Sequence, residues 1–169
     1  MLMRVAFYTL GCKLNQAETE SLANHFSQAG FQIVSPSDGA DIYIANTCTV
    51  THIADRKSRH WLRLARRRNP QALIIVTGCY AQRNPQELAQ LADFVVDNKE
   101  KEHLLALTQT LVLEGRGLAE NETKQSQMLA ATVRTRSLIK IQDGCHNNCT
   151  YCIVPKVRPH EYSLPVSDN

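Results

Sequence analysis

Four short apolar runs, each followed by a stretch with helical periodicity, are the strongest constraint this sequence places on its fold. They cover residues 4–10, 41–45, 72–77 and 93–96 and are rich in β-branched and aromatic side chains. Strands that alternate with amphipathic helices predict a parallel sheet with helices packed on its faces. The expected fold class is therefore α/β, an open parallel sheet flanked by helices, over residues 1–113.

The helices can be placed from their end signals. The first is expected to begin near Asn15, a good N-cap with Glu18 three residues on, and to stop at Gly30. Leu22, His25, Phe26 and Ala29 would then share its buried face. A second helix is expected over 53–68, ending before Asn69-Pro70; a short third follows Asn84-Pro85, and a fourth spans roughly 100–113. Residues 114–136 are polar, hold two glycines and lack sustained periodicity, so they read as a linker. Residues 137–142 alternate and read as a new strand that runs directly into Asp143-Gly144-Cys145.

At 169 residues and 43% hydrophobic content the chain can form one ordinary domain and part of a second. No run of about 18 apolar residues and no signal-peptide pattern occurs, which predicts a cytoplasmic protein with no membrane span. In a reducing compartment thiols stay reduced, so the six cysteines point to metal or catalytic roles before disulfides.

Three of those cysteines are adjacent. Cys145, Cys149 and Cys152 form C-x3-C-x2-C, the signature of a radical S-adenosylmethionine cluster. Four thiolates normally hold a 4Fe-4S cluster, so a tight group of three leaves one iron open to another ligand. Gly144, Asn147 and Asn148 suit the turns such a wrap requires. The alternatives are a zinc knuckle, with His146 or His160 as further ligands, or three unrelated buried thiols. Tyr151 either packs on the adenine of the cofactor or covers the cluster.

The other three, Cys12, Cys48 and Cys79, are scattered in sequence but each lies just past the carboxyl end of an expected strand. In an open parallel sheet those ends line one edge, where ligands bind. Leu10-Gly11-Cys12, Asn46-Thr47-Cys48 and Thr77-Gly78-Cys79 supply small or polar turn residues, and a second three-thiolate site follows as a hypothesis. The competing reading is three small core hydrophobes.

The second helix carries seven cations, Arg56, Lys57, Arg59, Arg63, Arg66, Arg67 and Arg68, against one acid, Asp55. Arg56, Arg59, Arg63, Arg66 and Arg67 follow helical spacing and form a stripe about 16 Å long at roughly 1.5 Å per residue. Such a stripe can track a nucleic-acid backbone through phosphate contacts; it can equally be a solvated face or pair with acids elsewhere. The net charge of +3 does not by itself select a nucleic-acid partner.

Taken together, these motifs resemble the methylthiotransferases, radical S-adenosylmethionine enzymes that insert sulfur at an unactivated C–H bond and then methylate it. The resemblance covers nearly all of residues 3–158. The strings TLGCKLNQAETE, NTCTVTHIADRKSRH and GCYAQRNPQEL are most similar to the branch that modifies N6-threonylcarbamoyladenosine at tRNA position 37, next to the anticodon.

The resemblance implies two 4Fe-4S clusters, an auxiliary one on Cys12, Cys48 and Cys79 that takes part in sulfur donation, and one on Cys145, Cys149 and Cys152 that cleaves S-adenosylmethionine. It implies that a 5′-deoxyadenosyl radical abstracts hydrogen from adenine C2 and that a second S-adenosylmethionine supplies the methyl group. The implied partners are the tRNA anticodon stem-loop, S-adenosylmethionine and an electron donor for cluster reduction.

After Pro155 the family pattern P-x-x-R-G-x-E-x-S-R-P is only partly kept. Arg158, Glu161, Ser163 and Pro165 match, while Pro159 and Leu164 stand where glycine and arginine are expected. An eight-fold barrel takes about 250 residues, and residues 137–169 are expected to supply only its start. The chain by itself is therefore expected to bind clusters without turning over. The competing function is a non-catalytic α/β module that binds tRNA or another subunit.

Overall fold

The computed structural model describes residues 2–115 and 138–163. Five parallel strands form the main sheet: β1 (Arg4–Thr9), β2 (Gln32–Val34), β3 (Ile42–Thr47), β4 (Leu73–Gly78) and β5 (Phe94–Val95). Their order is β2-β1-β3-β4-β5. The chain winds outward from β1 in one direction and then in the other, so strand order reverses between β1 and β3.

Alternation along the central strands explains the three layers. Val5, Ile42, Ile44, Leu73 and Ile75 face one side and pack with Leu22 and Phe26 of α1 (Lys13–Gln28) and Leu104 and Leu111 of α5 (Leu104–Leu113). Ala6, Tyr43, Ala45, Ile74 and Val76 face the other, against Trp61, Leu62 and Ala65 of α2 (His52–Arg68), with α3 (Cys79–Arg83) and α4 (Pro85–Ala89) completing that layer. Every residue of β3 and β4 is buried, as a parallel sheet covered on both faces requires. Trp61 stacks on Tyr8 at 4.3 Å between ring centres and meets Tyr43 edge-on at 5.8 Å.

Several expectations need correction. β2 is an unanticipated edge strand, too short for its apolar run to be distinctive. α1 begins two residues before Asn15, with Cys12 in the capping position, and Asn15 is a fully buried residue of its first turn. Glu18 is not the partner in a capping box. His25 and Ala29 are exposed, so the buried face of α1 is carried by Ala17, Leu22 and Phe26 together with polar residues. α3 starts at Cys79 itself, directly after β4. Residues 100–113 divide into a 3₁₀ turn (Glu100–His103) and α5. α2 matches its expected span, and Thr51 caps it by accepting from the Ala54 backbone N–H at 3.1 Å.

The linker expected over 114–136 lies almost wholly outside the described residues. Among the described residues beyond it, the regular structure is β6 (Gln142–Asp143) and β7 (Tyr162–Ser163), which are antiparallel, and the single turn α6 (Val154–Val157). Within the described residues the strand expected over 137–142 is therefore reduced to its last position, and it pairs with β7 instead of starting a parallel ladder.

Candidate functional site

Sheet register brings the three scattered cysteines to one edge. Thr9 lies opposite Asn46 and Thr47 opposite Gly78, so Cys12, Cys48 and Cys79 each follow a strand whose end lies within one residue of the same row. Cys12 and Cys48 flank the gap between β1 and β3 where strand order reverses, the place an open sheet of this order offers a ligand. Backbone packing there is tight. At Gly11, with φ +133°, a Cβ would fall 2.9 Å from Cys48 Cβ, and at Gly78, with φ +100°, 2.3 Å from the carbonyl oxygen of Thr47.

All six cysteines are free thiols. Cys48 and Cys79 are buried, and Cys12 is exposed. Burial pushes the Cys48 thiol up, and negative charge on Cys79, Cys12 and Asp55 pushes it further, against the opposing hydrogen bond from Val50. Cys48 is thus the thiol that both others influence. Among the described residues no group of three or more His, Cys, Asp or Glu is already placed to hold a metal ion. The donor set and the glycine-lined edge fit a three-thiolate site; closing the thiols onto one ion needs side-chain adjustment.

Cys145, Cys149 and Cys152 lie on a loop between β6 and α6. Cys149 is exposed and the other two half-buried. Cys152 donates its backbone N–H to the Cys149 carbonyl at 3.1 Å, and the Asn147 amide donates to Cys145 Sγ at 3.3 Å. His146 donates its backbone N–H to Glu161 at 3.0 Å. At Gly144, with φ +71°, a Cβ would fall 2.1 Å from the His160 carbonyl oxygen, so this turn too is built around a glycine. Tyr151 is 92% exposed.

The arginine stripe divides in two. Arg59 donates to the Tyr80 hydroxyl and pairs with Glu87 at 3.0 Å. Arg66 forks onto Asp93 at 2.7 Å and also donates to the carbonyls of Pro70 and Ala72. Both therefore serve the fold. Arg56, Arg63 and Arg67 are exposed along the outer face of α2.

Sequence reasoning missed the polar cluster beside the cysteine edge. Arg158 grips Glu18 with both guanidinium nitrogens, Nη1 to Oε1 at 2.7 Å and Nη2 to Oε2 at 3.0 Å, and also donates to Asp143 at 2.6 Å and Asn15 at 3.1 Å. Lys101 Nζ donates to Glu18 Oε2 at 2.6 Å, and Lys140 bridges Glu18 and Asp143 at 3.3 and 2.7 Å. The side chains of Glu18, Lys101 and Arg158 are each less than one-tenth exposed.

Burial alone would raise the Glu18 pKa, but the hydrogen bonds of Arg158 and the charges of Lys101 and Arg158 hold it well below the usual carboxylate range. Asp143 is lowered in the same way, burial being outweighed by Lys140 and Arg158. The only advance signals for this cluster were Arg158 within its motif and Glu18, read as a capping residue. A cleft of about 750 Å³ opens beside the cluster, with Glu18, Lys101, Lys140 and Arg158 on its wall and no cysteine among its lining residues.

The open five-stranded parallel sheet flanked by helices is consistent with a methylthiotransferase-like N-terminal domain, here with three cysteines along its carboxyl edge and a C-x3-C-x2-C loop further on. A family profile described as uncharacterized protein family UPF0004 matches residues 4–97, more than half of the chain, and the chain belongs to that family. It is 44% identical over 165 residues to the threonylcarbamoyladenosine tRNA methylthiotransferase MtaB of Aquifex aeolicus (strain VF5), covering 92% of this chain and 40% of that protein.

Identity to the Bacillus subtilis (strain 168) protein of the same name is 42% over 163 residues, 91% and 36% of the two chains. The tRNA-2-methylthio-N(6)-dimethylallyladenosine synthase of Pseudothermotoga lettingae is 32% identical over 176 residues, 98% and 40%. The chain spans about two fifths of the length of these curated relatives. No helix among the described residues is long and apolar enough to cross a membrane.

Proposed function

We propose that the chain carries the auxiliary-cluster domain and the S-adenosylmethionine-cluster loop of a tRNA methylthiotransferase, acting on N6-threonylcarbamoyladenosine at position 37 to give its 2-methylthio derivative. The observation that supports this reading is that Cys12, Cys48 and Cys79 each follow the carboxyl end of one of three neighbouring strands, β1, β3 and β4, along one edge of the sheet. Cys12, Cys48 and Cys79 would hold one 4Fe-4S cluster, and Cys145, Cys149 and Cys152 the other. When bound, the clusters supply an electron for cleavage of S-adenosylmethionine and take part in sulfur delivery.

The chain's own residues bind, orient and exclude water. Gly11 and Gly78 let the backbone approach a bulky ligand at the sheet edge, burial of Cys48 and Cys79 shields two ligands from solvent, and Asn147 donates to Cys145 Sγ. Arg56, Arg63 and Arg67 present a row of charge for the tRNA backbone, and the clusters, when bound, would need an external electron donor. Among the described residues of 138–163, β6, α6 and β7 surround the Cys145–Cys152 loop and no parallel barrel strand is formed.

Anaerobic reconstitution tests the proposal. About four iron and four sulfide per site are expected, eight in the intact chain and half that in Cys12→Ala/Cys48→Ala/Cys79→Ala; unchanged iron in that variant rejects the auxiliary site. A second reading, a tRNA- or subunit-binding module without catalysis, draws on the exposed arginine row. It requires tRNA binding with no iron uptake at either triplet.

A further inference from the structure

Two cysteine triplets far apart in sequence are joined by one buried set of polar contacts. On the sheet side, the Asn15 amide donates to the carbonyl of Leu10 at 3.0 Å and to that of Thr47 at 3.2 Å, the residues just before Gly11-Cys12 and Cys48. Glu18 lies one helical turn further along α1. On the loop side, Asp143 precedes Cys145 by two residues and Arg158 follows Cys152 by six. Arg158 contacts Asn15, Glu18 and Asp143 at once, and the Asn98 amide adds a bond to the Val157 carbonyl at 2.9 Å.

We propose that the buried Glu18–Arg158 pair is a positioning latch, holding the Cys145–Cys152 loop at a fixed place against the Cys12/Cys48/Cys79 edge. Its functional meaning rests on the two-cluster reading above, since the quantity it sets is the separation of the two sites. A buried ion pair is a poor source of net stability, because desolvation offsets most of the attraction, but its geometry is specific. The planar fork of an arginine fits a carboxylate in one orientation, which lysine cannot reproduce. The two ends of the Cys145–Cys152 loop, at Asp143 and Arg158, cannot leave α1 without breaking this fork or leaving buried charge unpaired.

Hydrogen exchange on the metal-free chain tests the latch without any cluster. Arg158→Met keeps the side-chain volume and leaves Glu18 paired with Lys101, so peptides from β3 and β4 should exchange as before. Peptides from 142–163 should exchange at least about tenfold faster, and Glu18→Gln should do the same from the other side. Arg158→Lys, with the charge but not the fork, should fall between.

Unchanged exchange of 142–163 in both Arg158→Met and Glu18→Gln overturns the proposal. In iron-loaded chain, the electron-spin distance distribution between the reduced clusters should broaden in Arg158→Met and narrow again in Arg158→Lys; the same narrow distribution in all three would equally remove the latch. Failure of the parent chain to load iron would reject the two-cluster reading, while the exchange result would still decide whether the fork docks the loop.

Discussion

A Cβ added to Gly78 would lie 2.3 Å from the carbonyl oxygen of Thr47, its neighbour across the β3–β4 ladder. Gly78 also has φ +100°, so the strand-to-helix turn that presents Cys79 is available only to glycine. Gly30 has φ +89° with no atom within 4 Å of the added carbon. Gly30→Ala should therefore cost about 1 kcal/mol of backbone strain. Gly78→Ala should cost more, about 3 kcal/mol or above, because a backbone overlap adds to the strain. Urea unfolding of the two variants measures the difference, and equal losses would contradict the close approach.

Acid should release the loop before it unfolds the sheet. The folded-state pKa values of Glu18 and Asp143 are depressed, so their contribution is complete above the unfolded carboxylate range, about 4, and is lost as pH falls through the folded values. Exchange protection of 142–163 should thus be flat from neutral pH down to about 4 and decline below it. Glu18→Gln should flatten the decline. Protection that rose on acidification would have the wrong sign.

The divided arginine stripe gives opposite expectations for its two halves. Arg56→Ala/Arg63→Ala/Arg67→Ala should leave unfolding unchanged but weaken tRNA binding, and the slope of log K against log salt should fall by about 2 to 3 for three lost phosphate contacts. Arg66→Ala should instead destabilise the fold, since Asp93 loses its ion pair and the carbonyls of Pro70 and Ala72 lose a donor. Salt-dependent binding and thermal unfolding, run on the same variants, separate these outcomes.

Thiol chemistry of the metal-free chain offers an independent check on the sheet edge. Cys48, buried and with its pKa pushed up, should alkylate slowest at neutral pH, while exposed Cys149 should react rapidly. In denaturant both should react at similar rates. Fast alkylation of Cys48 in the folded chain would place it outside the sheet edge.

The central strands were legible because β3 and β4 are buried along their whole length and β1 is largely covered, so all three are rich in β-branched and aromatic residues. From their ends alone the alignment of Cys12, Cys48 and Cys79 on one edge could be anticipated. β2 escaped because three edge residues carry too little pattern. Asn15 and Glu18 have the composition of a helix start, but the chain already turns at Gly11-Cys12, which frees both side chains to reach Leu10, Thr47 and Arg158. Periodicity placed the arginines on one helix correctly. Which of them are committed depends on Glu87 and Asp93, residues brought near only by the packing of other elements.

The different spacing of the two cysteine sets also has a consequence for biogenesis. Cys145, Cys149 and Cys152 are close along the chain and can chelate a metal while the polypeptide is still unfolded. Cys12, Cys48 and Cys79 are separated by 36 and 31 residues and meet only once three parallel strands have paired, a slow, long-range step. On the proposed two-cluster reading, loading at the sheet edge would have to follow folding, whereas the loop would be open to adventitious metal from the moment it leaves the ribosome.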